Sequence, residues 1–348
     1  MDGPQPVEYG EFARERHEAF AEMMLHELPK EYASQEINHL TLAYFAISSL
    51  SFLRSLDRVD KDQVARWVLS FRAKPREMSN VADGTFFGFC GSRSSQFSED
   101  TCQSVSNLAS TYSALAILKV VGYDSENFDS RSILESMKNL QMPDGSFMPV
   151  DSGAETDLRF VYCAAAISSM LNDWSGMDRE KAKDYIIKCQ SYDGGFGLTP
   201  GSESHGGGTY CAVAALFLMG FIQTDYNNGV LLPRCTIIDI SSLVEWCLQR
   251  QGADGGFQGR ANKPSDTCYA FWVGGALKML GLYHLINKLA LRDFLLSCQS
   301  PYGGFTKFQY EAIPDLYHSY YGFAALSLLE EELDPLCVEL GLATFNQL

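Results

Sequence analysis

The 348-residue sequence predicts an all-α repeat protein. Three observations carry that expectation. A short Gln–turn–Phe block recurs, the segments between blocks hold apolar residues at helical spacing, and strand signals are nearly absent. The blocks are Gln141-Met-Pro-Asp-Gly-Ser-Phe147, Gln190-Ser-Tyr-Asp-Gly-Gly-Phe196, Gln251-Gly-Ala-Asp-Gly-Gly-Phe257 and Gln299-Ser-Pro-Tyr-Gly-Gly-Phe305. Successive glutamines stand 49, 61 and 48 residues apart, in the range of helix-pair arrays.

Taken in chain order, the N-terminal third is the most degenerate. Helices are expected from about Val7 to Leu28 and from Leu40 to Leu56. The stretch Asp83-Gly-Thr-Phe86 through Gly88-Phe89-Cys90-Gly91-Ser92 reads as an eroded repeat, and Gln96 to Ser106 as a loop. Helical spacing follows in Leu108, Ala109, Tyr112, Leu115, Ala116 and Leu118. It returns in Tyr162, Ala165, Ala166 and Met170, in Tyr210, Val213, Ala214 and Phe217, and in Tyr320, Phe323, Ala324 and Leu328. In each block a glycine can take the left-handed backbone of a tight reversal, and aspartate bonds its own backbone. The glutamine can reach exposed backbone groups at the junction, and the phenylalanine anchors the turn in the core. Thr199 to Gly208 is another loop. Five or six helix pairs result, stacked open as a solenoid or closed into a ring. No linker interrupts them, so residues 1–348 read as a single domain.

Composition narrows the function classes. Apolar residues make up 46% and charged residues 20%, enough for a large core. A net charge of −16 argues against nucleic acid and against a general hold on anionic membranes. An anionic substrate needs a local basic pocket. The 10 cysteines are scattered, with no CxxC pair, and read as small buried hydrophobes in a reducing, soluble compartment. The first residues do not form a signal peptide, and the apolar run from Leu40 to Leu53 is too short to span a bilayer.

One repeat position stands apart. Helix starts follow each glutamine by 17 to 21 residues, and aligned on them one slot reads Tyr162, Tyr210, Cys268 and Tyr320. Asp266 lies two residues before the cysteine, and the matching place of the next unit reads His318. Thiolate, carboxylate and imidazole together form a zinc ligand set, and three ligands leave an open coordination place. Such a metal binds an incoming thiol as thiolate, which suggests sulfur alkylation or hydrolysis. The plainer alternative makes Cys268 a core residue, Asp266 a helix cap and His318 a hydrogen-bonded helix-start residue.

Arg260 and Lys263 precede this helix start, His205 occupies the comparable loop one repeat earlier, and Lys307 lies one repeat later. Together they could hold a diphosphate. The alternative is a set of solvated loop charges. Phe45, Phe160, Tyr162, Tyr210, Tyr269, Phe271, Trp272 and Tyr320 crowd the inner helix starts, either as core or as the lining of an apolar cavity. A long isoprenoid diphosphate matches an apolar cavity with a basic, metal-bearing rim.

In Glu203-Ser-His205-Gly-Gly, in Gly259-Arg260-Ala-Asn-Lys263-Pro-Ser-Asp266-Thr-Cys268-Tyr269 and in Asp315-Leu-Tyr-His318, the chain resembles the β subunits of protein prenyltransferases. The resemblance runs from roughly Tyr9 to Leu329. It implies an α/α barrel of about six helix pairs, a heterodimer with a separate α subunit, and alkylation of a cysteine in a C-terminal CaaX motif. It implies one zinc on Asp266, Cys268 and His318, and diphosphate contacts from His205, Arg260, Lys263 and Tyr269. It also implies an isoprenoid tail lying along Tyr162 and Trp272.

Within that family Lys307 is similar to the lysine of type I geranylgeranyltransferases. This lysine takes over the charge of a magnesium ion, so magnesium is not expected to be needed. Thr41 and Gly208 stand where farnesyltransferases carry bulky aromatics, and Phe45 and Phe160 agree with the type I pattern. Tyr317 and Asn107 depart from it, near the place of the peptide's last residues. The expectation is a cytoplasmic, catalytic type I β subunit. It would use geranylgeranyl diphosphate and modify CaaX proteins such as Rho-type small GTPases. The rivals are a farnesyltransferase β subunit, a terpene cyclase, whose Asp-x-Asp-Asp acid this sequence lacks, and a non-catalytic helical-repeat binding module.

Overall fold

A computed structural model describes residues 11–73, 87–92, 106–123, 130–151, 153–227, 230–311 and 313–344. The Asp83–Phe86 half of the eroded block, most of the loop from Gln96 and the expected helix start at Val7 lie outside these residues. Twelve α-helices are described: α1 Arg14–His26, α2 His39–Phe52, α3 Lys61–Leu69, α4 Leu108–Val120, α5 Ser130–Leu140, α6 Leu158–Met170, α7 Arg179–Lys188, α8 Gly206–Leu218, α9 Ile240–Leu248, α10 Thr267–Met279, α11 Lys288–Ser297 and α12 Leu316–Leu328.

The even-numbered helices form an inner layer. Each packs on the next and α12 returns to α2, so the pairs close into a ring rather than an open solenoid. These helices are apolar around nearly their whole circumference, as helices buried on every side must be. Along α8, for instance, the residues from Thr209 to Leu216 are all buried. The odd-numbered helices bury one stripe, in α5 Ile133, Leu134, Met137 and Leu140, as suits an outer layer.

Two repeated hydrogen-bond devices set this arrangement. In the first, the glutamine of each block clamps the cap of the next outer helix. Gln190 Nε2 donates to Asp239 O at 3.1 Å while Asp239 N–H donates to Gln190 Oε1 at 3.1 Å. Gln141 treats Asp178 the same way, and Gln251 treats Asn287. Gln299 accepts from Ala13 N–H at 3.0 Å and so binds the last block to α1. Backbone bridges join each glutamine to its phenylalanine, and Phe147, Phe196, Phe257 and Phe305 are fully buried. Arg72 bridges to Phe89 in the same way, so the eroded stretch is a fifth block.

In the second device, an N–H in the first turn of each inner helix donates to the residue two places past the next block's phenylalanine. The pairs are Leu40 to Gly91, Leu108 to Pro149, Leu158 to Leu198, Gly206 to Gly259 and Thr267 to Lys307, at 2.8 to 3.3 Å. Leu316 N–H completes the circle on the Tyr32 hydroxyl at 2.9 Å. These shared contacts bring all six inner N-termini to one rim.

Three expectations need correction, one of them the loop from Thr199 to Gly208, whose last three residues already open α8. The first helix starts at Arg14, because Gln299 rather than a side chain of its own caps Ala13; α2 ends at Phe52, before Arg54 takes a φ of 61°. Strands also occur. β1 Gln223–Asn227 pairs antiparallel with β2 Val230–Arg234, which accounts for the longer spacing between the second and third blocks. The Asn228-Gly229 dipeptide was the available hairpin signal. A second hairpin, β3 Leu336–Cys337 with β4 Leu342–Ala343, follows α12. Asp334 N–H bonds Phe52 O at the end of α2, so this hairpin enters the ring from the end opposite the rim.

Candidate functional site

The rim is built from helix caps. Asn107, Asp157, His205, Asp266 and Asp315 each cap an inner helix through a side-chain acceptor. This register corrects the slot read from the sequence. Counted from the cap, Tyr112, Tyr162, Tyr210 and Tyr320 stand fifth, and their counterpart in α10 is Phe271, not Cys268. Cys268 stands second, like Tyr317, and His318 third, like Tyr269. The sequence alignment slipped by three residues, close to one helical turn. The true counterpart of Asp266 is Asp315.

The three candidate ligands nevertheless converge. One ligand atom each of Asp266, Cys268 and His318 lies within 4.8 Å of the others, and no other such group of three is found among the described residues. Asp266 and Cys268 are buried, and Cys268 N–H donates to Asp266 Oδ1 at 3.0 Å. Asp266 is therefore a cap, as the plainer reading held, and also faces His318 Nε2 at 3.3 Å. Asp315 Oδ2 lies 2.6 Å from His318 Nδ1, which fixes that nitrogen as the proton-bearing one and turns Nε2 toward the ligand set.

Electrostatics describe a charged, water-poor centre. Burial works against a charged His318, but its hydrogen bonds to Asp266 and Asp315 prevail and raise it to about 9. Burial and the nearby Asp266 carboxylate push the Cys268 thiol up. Burial also opposes ionisation of Asp266, yet His318 and the Cys268 backbone hold its pKa below the usual value. Thiol, carboxylate and imidazole around one point fit a borderline-soft divalent ion such as zinc.

Basic and polar groups surround this centre. Lys307 Nζ lies 3.7 Å from Asp266 Oδ2, a placement that follows from its carbonyl accepting the first N–H of α10. His205 Nδ1 accepts from Gly207 N–H at 3.0 Å, so its other nitrogen carries the proton and donates to the Tyr269 oxygen at 3.0 Å. Tyr269 keeps its own O–H for another acceptor. Burial, helped by the Arg260 charge, lowers the pKa of His205 and keeps it neutral. Gly259 makes room for this pair: a Cβ there would lie 2.1 Å from the Tyr269 ring. Arg260 pairs with Glu203 at 3.0 Å on the surface, and Lys263 is exposed on the same loop, where Asn262 takes a φ of 61°.

Aromatics line the interior below the rim. The Trp272 ring N–H donates to the Tyr317 hydroxyl at 3.3 Å, Phe45 meets Tyr317 edge-on, and Trp272 meets Tyr210 edge-on. A cavity of about 380 Å³ is lined by Thr41, Asn107, Arg159, Phe160 and Cys163. A cavity of about 470 Å³ lies elsewhere, between α1, α2 and α3, and shares no residue with the metal-ligand group. At Gly208 a Cβ would stand 2.9 Å from the Phe196 carbonyl oxygen, so this glycine has a packing reason of its own.

Sequence reading named Asp315 only as part of a motif and gave it no role, and it missed Arg159 and the Tyr32 hydroxyl. A carboxylate three residues before His318 was the available signal for the first.

The prenyltransferase alpha-alpha toroid family model matches residues 12–346. The geranylgeranyl transferase type-1 subunit beta of Arabidopsis thaliana is 63% identical over 95% of this chain and 89% of its own length. The subunit of the same name from Dictyostelium discoideum is 35% identical over 88% of each. Among solved structures, Candida albicans protein geranylgeranyltransferase-I complexed with GGPP covers 96% of this chain and 97% of its own, with a TM-score of 0.81 at 24% identity, a likeness of fold. On its ring, its block repeats and these matches, the chain belongs to the prenyltransferase alpha-alpha toroid family.

Proposed function

We infer that the chain is the catalytic β subunit of a type I protein geranylgeranyltransferase. It would pair with an α subunit and transfer a geranylgeranyl group from geranylgeranyl diphosphate to the cysteine of a C-terminal CaaX motif. Rho-type small GTPases are the proposed substrates. A cytoplasmic location belongs to the same proposal, and among the described residues no helix is long and apolar enough to cross a membrane. The observation that supports the reading best is Lys307 beside the Asp266, Cys268 and His318 group, in a chain so like subunits named for this activity.

Asp266, Cys268 and His318 would hold one zinc ion, which when bound supplies the positive charge that acidifies the substrate thiol. Asp315 keeps His318 in the required tautomer. The aromatic interior, with Tyr162, Trp272, Phe45, Phe160 and Thr41, would receive the isoprenoid chain and exclude water. Tyr317 stands at its rim. Tyr269 would donate its free O–H to the diphosphate, oriented by His205. Arg260, Lys263 and Lys307 would neutralise charge growing on the leaving oxygen as the thiol sulfur bonds to the first prenyl carbon. Lys307 stands where a second metal's charge would otherwise be needed, so magnesium would be dispensable.

The test is a competition between geranylgeranyl and farnesyl diphosphates, with the chain co-expressed with an α subunit and magnesium chelated. Preferential geranylgeranyl transfer is expected. Farnesyl transfer that strictly needs magnesium would move the assignment to a farnesyltransferase β subunit.

A further inference from the structure

We propose that the C-terminal hairpin is a chain-length determinant: it floors the prenyl cavity, and a ring of tyrosines holds it there. The inference rests on the type I reading above. Four inner helices each send a tyrosine hydroxyl to the turn between β3 and β4. Tyr210 donates to Val338 O at 2.7 Å, Tyr112 to Leu340 O at 2.8 Å and Tyr44 to Gly341 O at 2.8 Å, and Tyr320 also donates to Gly341 O. All four rings are buried, and a hydroxyl buried without a partner would be costly.

The rings form a layer with two different faces. Below, their hydroxyls are taken up by the hairpin's carbonyls. Beside and above, they touch the cavity aromatics: Phe45 lies 5.2 Å from Tyr320, Tyr321 lies 4.7 Å from Tyr320, and Trp272 lies 4.9 Å from Tyr210. Binding the hydroxyls downward leaves carbon faces toward the apolar chain. Tyr112, Tyr210 and Tyr320 stand five residues past their caps, more than one helical turn below the rim.

Gly341 is the tightest point. Its φ is 65°, and a Cβ would lie 2.8 Å from the Tyr320 oxygen and 3.2 Å from that of Tyr44. Any side chain there pushes the tyrosine layer toward the cavity. A tail that reaches the layer feels the displacement, and a tail one isoprene shorter feels it less.

The experiment uses the heterodimer and measures kcat/KM for geranylgeranyl and farnesyl diphosphates in wild type, Gly341→Ala and Tyr112→Phe. Gly341→Ala should lower the geranylgeranyl-to-farnesyl ratio about tenfold, the size of effect that misfit of an apolar group in a pocket carries. Zinc content should not change. Tyr112→Phe keeps the ring but frees the Leu340 carbonyl, and should move the ratio the same way by about threefold. If Gly341→Ala does not assemble, Tyr112→Phe decides alone. An unmoved ratio, or equal losses on both substrates, overturns the proposal while a geranylgeranyl-preferring wild type leaves the type I reading standing. A wild-type complex that transfers neither group overturns both.

Discussion

Asp315 governs the candidate metal group without belonging to it. Its 2.6 Å contact to Nδ1 commits Nε2 of His318 to the ligand set. Asp315→Ala should therefore weaken zinc binding by about 10- to 100-fold, read by competition with a coloured chelator. An unchanged affinity would make the contact merely structural. Lys307 offers a second test. Lys307→Ala should cut kcat/KM about tenfold, less than a buried oxyanion donor carries because the ammonium is half exposed. Lys307→Asp should make transfer respond to added magnesium, and a variant indifferent to magnesium would remove the charge-replacement argument. The three ligands were reached through a repeat slot that the helix caps do not support, and through the motifs around Asp266, Cys268 and His318 that carry the family resemblance. Their register was not legible, because an alignment counted from the glutamines cannot see where each helix is capped.

Among elements, the Gln–turn–Phe block explains both the ring and the site. It clamps the next outer helix with its glutamine, and two residues past its phenylalanine it offers a carbonyl to the preceding inner helix. The last carbonyl in that series belongs to Lys307, which is why the lysine side chain reaches Asp266. The clamp at Gln299 is buried, whereas the Gln251 clamp is partly open to water. Gln299→Ala strands the Ala13 N–H and a ring nitrogen of His17, and should cost about 1–3 kcal/mol. Gln251→Ala should cost less, because water can replace its bonds. Urea unfolding of the two variants compares them, and equal midpoints would contradict the difference. The inner helices and the block turns could be read from the sequence because periodicity and glycine chemistry are local. The C-terminal hairpin could not, because its short strands depend on tyrosines contributed by distant helices.

For the molecule as a whole, ring closure depends on a histidine that function does not use. His17 is fully buried, accepts from Gly304 N–H on Nδ1 at 2.9 Å and lies 2.9 Å from Gln299 Oε1 through Nε2, so it must be neutral. Burial, opposed in part by the Gln299 bond, lowers it from 6.5 to about 4. The unfolded chain takes up this proton first. Stability from this group is therefore complete above pH 6.5 and is lost as pH falls toward 4, at up to about 1.4 kcal/mol per pH unit. Melting curves between pH 7.5 and 5 should show this loss in wild type and a smaller one in His17→Gln, and parallel losses would exclude His17. Periodicity alone left ring and solenoid open, since neither the His17 seam nor Tyr32 has a repeat signature; the closed barrel was implied by the family resemblance, and the toroid match bears it out. The central claim is that two neighbouring inner helices jointly hold a zinc ion that transfer requires. Metal analysis of the purified heterodimer, wild type against Cys268→Ala, tests it most directly. One zinc per wild-type complex is expected, with none in the variant and prenyl transfer lost while the helical content is kept. A wild type that transfers without zinc, or a variant that retains both zinc and turnover, would contradict it.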